Sequence, residues 1–156
     1  MEKLEKRIVN KLKEKNETIS FMESCTGGYL ANAVTNVSGA SDVIKTSLVT
    51  YSNEYKIKFG VPETIINKYT VYSKETATEM AKNVSLFANS DFGIGVTGEL
   101  ANKTKADNKV YYSIYDKNND LCINNTLLIE PSDRDKMKQE IAYNILEELW
   151  NILTKN

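Results

Sequence analysis

The stretch ESCTGG, residues 23–28, sets a serine, a cysteine and a threonine ahead of two adjacent glycines. The chain contains no histidine, which removes the Ser-His-Asp triad, the Cys-His dyad and histidine-ligated metal sites together. Acid–base work near neutral pH therefore falls to Lys, Tyr, Cys, Asp or Glu with a shifted pKa. Ser24 stands where a β-like run (TISFM, 18–22) gives way to helical spacing at Tyr29, Leu30, Ala33 and Val34. At such a junction the first backbone N–H groups lack partners and carry the positive end of the helix dipole, so an oxyanion or phosphate can be held there. Gly27 and Gly28 clear side chains from the approach. Two readings follow: Ser24 is a nucleophile, or Ser24 or Thr26 merely caps the helix and the glycines make the turn.

A second cluster, TYSNEYKIKFG (50–60), also lies at a strand-to-helix junction. Consecutive strand ends of an open α/β sheet can gather in one crevice, which would bring Tyr51 and Lys56 to Ser24. A serine needs a base, and without histidine a lysine kept neutral by partial burial is the natural substitute. Its pKa must then fall by several units from about 10.4, with Tyr51 relaying or orienting the proton. The alternatives are a solvated Lys56 beside Lys58 and a Tyr51 ring in the core with its hydroxyl satisfied. In VTGELANKTKADNK (96–109), Thr97 and Gly98 end a strand and could line the same crevice; residues 102–108 read as a surface loop. In SDRDK (132–136), Arg134 offers a guanidinium fork for a carboxylate or phosphate, or else an exposed ion pair of little worth.

The elements that must position these groups are legible in the spacing. MEKLEKRIVNKLKEKN is helical, with Leu4, Ile8 and Leu12 on one stripe; TISFMES is a buried strand, and GGYLANAVTNV a helix packed by Leu30, Ala33, Val34 and Val37. VIKTSLVTYS (43–52) reads as a strand, NEYKIKFG as a short helix stopped at Gly60, and VPETIINKY as a helix begun at its proline. Ser73 is expected to cap KETATEMAKNVSLFA, whose inner residues are Ala77, Met80, Ala81, Val84 and Phe87. FGIGVTG (92–98) is a strand; KVYYSIYD and LCINNTLLIE form a hairpin across KNND. After Pro131, Ser132 is expected to cap a last helix with Met137, Ile141, Ile145, Leu149 and Ile152 inward. The order predicts one α/β domain over 1–156, a mixed sheet between helices.

Composition narrows the function classes. The 156 residues are 41% hydrophobic, enough for one domain with a core. A formal net charge of −1 gives no general attraction for polyanions and argues against a nucleic-acid partner. Two cysteines, Cys25 and Cys122, without metal-ligand spacing, suit a reducing cytoplasm. No signal peptide and no run of eighteen apolar residues is present, so no membrane partner is expected.

ESCTGG, VTYSNEYK, the V-x-S of Val71 and Ser73, VTG and SDR occur in an order that resembles the CinA C-terminal domain family, the nicotinamide-nucleotide amidases, over residues 4 to 153. The resemblance implies an α/β/α sandwich and, as in the family's active members, hydrolysis of the carboxamide of nicotinamide mononucleotide to the acid and ammonia. It implies catalytic roles for Ser24, Tyr51 and Lys56: the serine attacks, the lysine takes its proton, and an acyl-enzyme is hydrolysed. Thr26, Gly27, Gly28, Ser52, Asn53, Ser73, Thr97, Gly98 and Arg134, within the matching motifs, are expected to border a small nucleotide substrate. No cofactor or metal is called for, and a homodimer is expected. The family's loop after VTG, spelled roughly GIAGPGG and later PVG, is replaced here by GELANKTKADNKV. That replacement leaves open a non-catalytic nucleotide-binding relative or an amidase for another substrate. The N-terminal domain that many members carry is not matched, so its activity is not expected.

Overall fold

A computed structural model describes residues 1–101 and 103–155. Position 102 of the predicted surface loop lies outside the described residues. The chain runs α1 (Leu4–Lys15), β1 (Ile19–Glu23), α2 (Tyr29–Thr35), a short 3-10 turn (Ala40–Asp42), β2 (Ile44–Val49), α3 (Asn53–Lys58) and α4 (Glu63–Tyr69). It continues through α5 (Lys74–Ala88), β3 (Phe92–Glu99), β4 (Lys109–Asp116), β5 (Leu121–Leu128) and α6 (Arg134–Thr154). The sheet order is β2-β1-β3-β4-β5; β1 is parallel to both β2 and β3, and the β3–β4 and β4–β5 pairs are antiparallel. The mixed α/β sandwich expected from the sequence is present.

The two faces of the sheet are packed differently. Ile19 and Phe21 of β1, Phe92, Ile94 and Val96 of β3, and Val110, Tyr112 and Ile114 of β4 alternate onto one face, where α1, α2 and α6 bury them in the larger core. The opposite face carries Ser20, Gly93, Gly95 and Ser113, and α5 lies directly against it. A Cβ at Gly93 would collide with the Ala81 carbonyl and one at Gly95 with the Ala77 carbonyl, so these glycines set how closely α5 approaches. A smaller apolar cluster of Met22, Val61, Ile66, Met80 and Val84 fills the rest of that side.

Four local expectations are corrected. Phe87 is 64% exposed; it leaves the inner stripe of α5 and meets Phe59 edge-on, while Ser85 takes an inward place. The residue preceding α6 is Asp133, and Ser132 does not cap it. Leu153, rather than Ile152, completes the buried stripe of α6. Val37 lies beyond α2 and is only partly buried. No helix among the described residues is long and apolar enough to cross a membrane.

Candidate active site

In the order β2-β1-β3, the chain leaves β1 toward β2 on one side and returns beside it as β3 on the other, so the C-terminal ends of three parallel strands surround one crevice. β1 ends in Glu23 and delivers Ser24; β2 ends before Thr50 and Tyr51; β3 ends in Gly98 and Glu99. A cavity of about 260 Å³ lies there, bounded by Ser24, Cys25, Tyr51, Lys56, Tyr72 and Arg134 among others.

Ser24 and Lys56 meet at its floor. Lys56 is 1% exposed, and its Nζ donates to Ser24 Oγ at 2.9 Å and to the backbone carbonyls of Thr50 at 2.7 Å and Tyr51 at 3.3 Å. Those partners occupy the three N–H directions of an ammonium. When Lys56 is neutral, the carbonyls keep two N–H groups and the nitrogen lone pair is left toward Ser24, in position to accept the hydroxyl proton. Burial lowers the Lys56 pKa from 10.5 to about 8. Lys56 reaches this place because α3 is a single short helix whose first turn is pinned by Ser52, which accepts the Tyr55 N–H at 3.3 Å.

The turn that carries Ser24 is held by a residue the sequence reading passed over. Glu23 is fully buried; its carboxylate accepts the Leu30 and Ala31 N–H groups at 2.9 and 3.1 Å and the Thr26 hydroxyl at 2.7 Å. Neither Ser24 nor Thr26 caps α2; the residue at its start is Gly28, with φ 96°, after Gly27 at φ 60°. Freed from capping, Ser24 Oγ has Lys56 as its partner. The Gly27 N–H donates to the Ser24 carbonyl and the Cys25 N–H faces its own sulfur, whereas the Thr26 and Gly28 N–H groups have no acceptor among the described residues. Cys25, the adjacent sulfur nucleophile, is not activated: burial pushes its pKa up to about 12, so it stays a thiol.

The remaining predicted residues divide. Tyr51, Asn53, Gly98 and Arg134 line the cavity with Ser24 and Lys56; Thr26, Gly27, Gly28, Ser52, Ser73 and Thr97 do not. Tyr51 is 66% exposed at the rim, not a core ring. Arg134 donates to the Leu100 carbonyl at 2.8 Å and so ties α6 to the segment after β3. Ser73 caps α5 by accepting the Thr76 N–H at 3.1 Å, and Thr97 donates to the Val71 carbonyl at 3.0 Å, which fastens the Val71–Tyr72 segment over the cavity. Tyr72, Glu99 and Lys138 were not anticipated. Tyr72 and Glu99 line the cavity, and Lys138 extends its ammonium over Gly27. The available signals were a glutamate directly after VTG and a basic residue one helical turn past Arg134. Among the described residues no cluster of three or more His, Cys, Asp or Glu side chains has the geometry of a metal site.

The sequence profile of the CinA C-terminal domain matches residues 1–153. A CinA-like protein of Petrotoga mobilis is 34% identical over 155 residues, 96% of this chain and 37% of that protein. One of Prochlorococcus marinus is 37% identical over 150 residues, 92% of this chain and 34% of the relative. The chain thus spans little more than a third of the length of these relatives. The crystal structure of the competence/damage inducible protein CihA of Agrobacterium tumefaciens superposes with a TM-score of 0.88 at 25% identity, covering 97% of this chain and 94% of that one.

Proposed function

This chain belongs to the CinA C-terminal domain family, and from that premise we propose that it is a serine–lysine amidase hydrolysing the carboxamide of a pyridine mononucleotide, nicotinamide mononucleotide, to the acid and ammonia. The observation that carries the reading is the 2.9 Å contact between Ser24 Oγ and a buried lysine whose pKa is lowered to about 8. Ser24 Oγ attacks the amide carbon and a C–O bond forms while its proton passes to Lys56 Nζ. The tetrahedral oxyanion is met by unengaged backbone N–H groups of the turn, those of Thr26 and Gly28, a contribution of about 3 kcal/mol in comparable sites. Collapse breaks the C–N bond as Lys56 returns the proton to the departing nitrogen, releasing ammonia. Water, deprotonated by the same lysine, then cleaves the ester and frees Ser24.

Ammonia release from nicotinamide mononucleotide, measured for the wild type, Ser24→Ala and Lys56→Ala, tests this. Turnover that vanishes in both variants with the fold intact is expected; turnover retained by Ser24→Ala removes the nucleophile. The replaced loop after VTG favours a second reading, an amidase for another amide or a nucleotide-binding module without turnover. A folded wild type that binds the mononucleotide without releasing ammonia would support that module.

A further inference from the structure

Three residues, Thr70 to Tyr72, carry the chain from the end of α4 to Ser73, the cap of α5. Within them Thr70 has φ 71° and ψ 168°. That backbone region is essentially reserved for glycine, and a β-branched side chain is among the worst suited to it. Such a conformation persists only where the surroundings over-determine it. Here the Ser73 and Thr76 hydroxyls both donate to the Thr70 carbonyl, at 2.9 and 2.8 Å, and occupy its two lone pairs. The Thr70 N–H donates to the Ile66 carbonyl at 2.9 Å, and Thr97 donates to the next carbonyl, that of Val71, at 3.0 Å. Ser73 and Thr76 are buried, so their hydroxyls are not drawn away by solvent.

The side chain this turn presents is Tyr72, whose ring is a wall shared by the Ser24 cavity and a neighbouring cavity of about 390 Å³. Tyr72 is 46% exposed, so little packing fixes it and the direction of its backbone decides where it stands. Ser73 and Thr97 do not line the Ser24 cavity themselves; they reach it through the segment that carries Tyr72. We propose that Thr70 is a positioning residue: the glycine-like backbone into which Ser73 and Thr76 lock it aims Tyr72 into the wall of the Ser24 cavity, and the strain makes that wall depend on the two hydroxyls. Thr70 touches no reacting atom. Its effect on kinetics rests on the amidase reading, whereas its placement of Tyr72 does not.

Thr76→Val keeps the shape of the side chain and removes one of the two donors, which lets the strain at Thr70 move the turn; Thr70→Gly removes the strain itself. In the wild type, Thr70 is expected to show the strong NMR cross-peak between its own amide and α-proton that a positive φ produces. The Tyr72 ring signals, assigned with Tyr72→Phe, should move in Thr76→Val and return in Thr70→Gly/Thr76→Val. In ammonia release from nicotinamide mononucleotide, Thr76→Val should raise KM about fivefold and leave kcat within about twofold, because the contact between Ser24 and Lys56 is untouched. Adding Thr70→Gly should bring KM back within about twofold of the wild type, a rescue that simple damage to α5 would not show. A negative φ at Thr70 overturns the proposal, as do ring signals that ignore Thr76→Val or stay displaced in the double variant. Turnover with a KM indifferent to Thr76→Val overturns it too. Should Thr76→Val fail to fold, Ser73→Gly takes its place, since glycine is a tolerated cap and removes the other donor. A wild type without turnover whose ring signals follow the expected pattern sinks the amidase and leaves the positioning residue; turnover without that pattern does the reverse.

Discussion

The ionisation of Lys56 should govern the rate. With a pKa of about 8, about a tenth of the molecules carry a neutral Lys56 at pH 7, half at pH 8 and about nine tenths at pH 9. Only the neutral form can take the Ser24 proton, so kcat/KM is expected to rise about tenfold between pH 7 and pH 9, with unit slope on the acid side. Other groups at the cavity do not confuse this window. Cys25 is pushed up to about 12 and Tyr72 lies above 10.0, so neither ionises; a phosphate monoester completes its second ionisation near pH 6. The assay is ammonia release coupled to glutamate dehydrogenase, with the coupling enzyme in excess at each pH. Lys56→Arg, which stays charged throughout, should show at most a trace of activity with no such rise. A flat profile from pH 7 to pH 9, or an active Lys56→Arg, would refute the assignment of Lys56 as the base.

The same ionisation bears on stability. Between pH 8 and 10.5 the unfolded chain holds a proton on Lys56 that the folded one has lost, so Lys56 adds stability as pH rises, by up to about 3 kcal/mol in all. Cys25 works in the opposite direction above pH 9, so urea unfolding at pH 8 and pH 9 should show a gain of about 1 kcal/mol that is missing in Lys56→Met. Glu23→Gln replaces an acceptor of the Leu30 and Ala31 N–H groups with an amide that must turn a donor toward one of them; a loss of about 2 kcal/mol in urea unfolding is expected. Gly95→Ala drives a methyl into the Ala77 carbonyl and should cost at least about 2 kcal/mol, read as a lowered denaturation midpoint.

The Ser24–Lys56 pair was legible because one absence did much of the selection. With no histidine in the chain, a serine at a strand end had few bases to draw on, and the next strand-to-helix junction held Lys56. The elements were legible too, since each carries either the alternation of a strand or the spacing of a helix. What local pattern could not give was whatever depends on distant segments. Glu23 ends an apolar strand and looks like an ordinary polar boundary; only the return of α2 over it converts it into a cap. Gly93 and Gly95 read as weak points in a strand, yet their role is to admit α5. Helical spacing put Phe87 on the inner stripe of α5 because it fixes direction but not how wide the covered arc will be. Tyr72 and Glu99 belong to the site only because the segment before α5 and the end of β3 converge on the end of β1.

That convergence also separates the contact between Ser24 and Lys56 from the loop after VTG. Ser24 is set by β1 and by Glu23; Lys56 is set by β2, by the Thr50 and Tyr51 carbonyls and by the cap at Ser52. None of these contacts involves residues 99–108. The replaced segment contributes instead to the walls, through Glu99, Leu100 and Ala101, and its Leu100 carbonyl is what Arg134 holds. A change in this loop therefore alters the space and charge that a ligand meets while leaving the distance between Ser24 and Lys56 untouched. Exchanging the segment for a glycine-rich one should accordingly shift KM among amide substrates much more than it shifts the pH midpoint near 8, because the first depends on the walls and the second on the burial of Lys56.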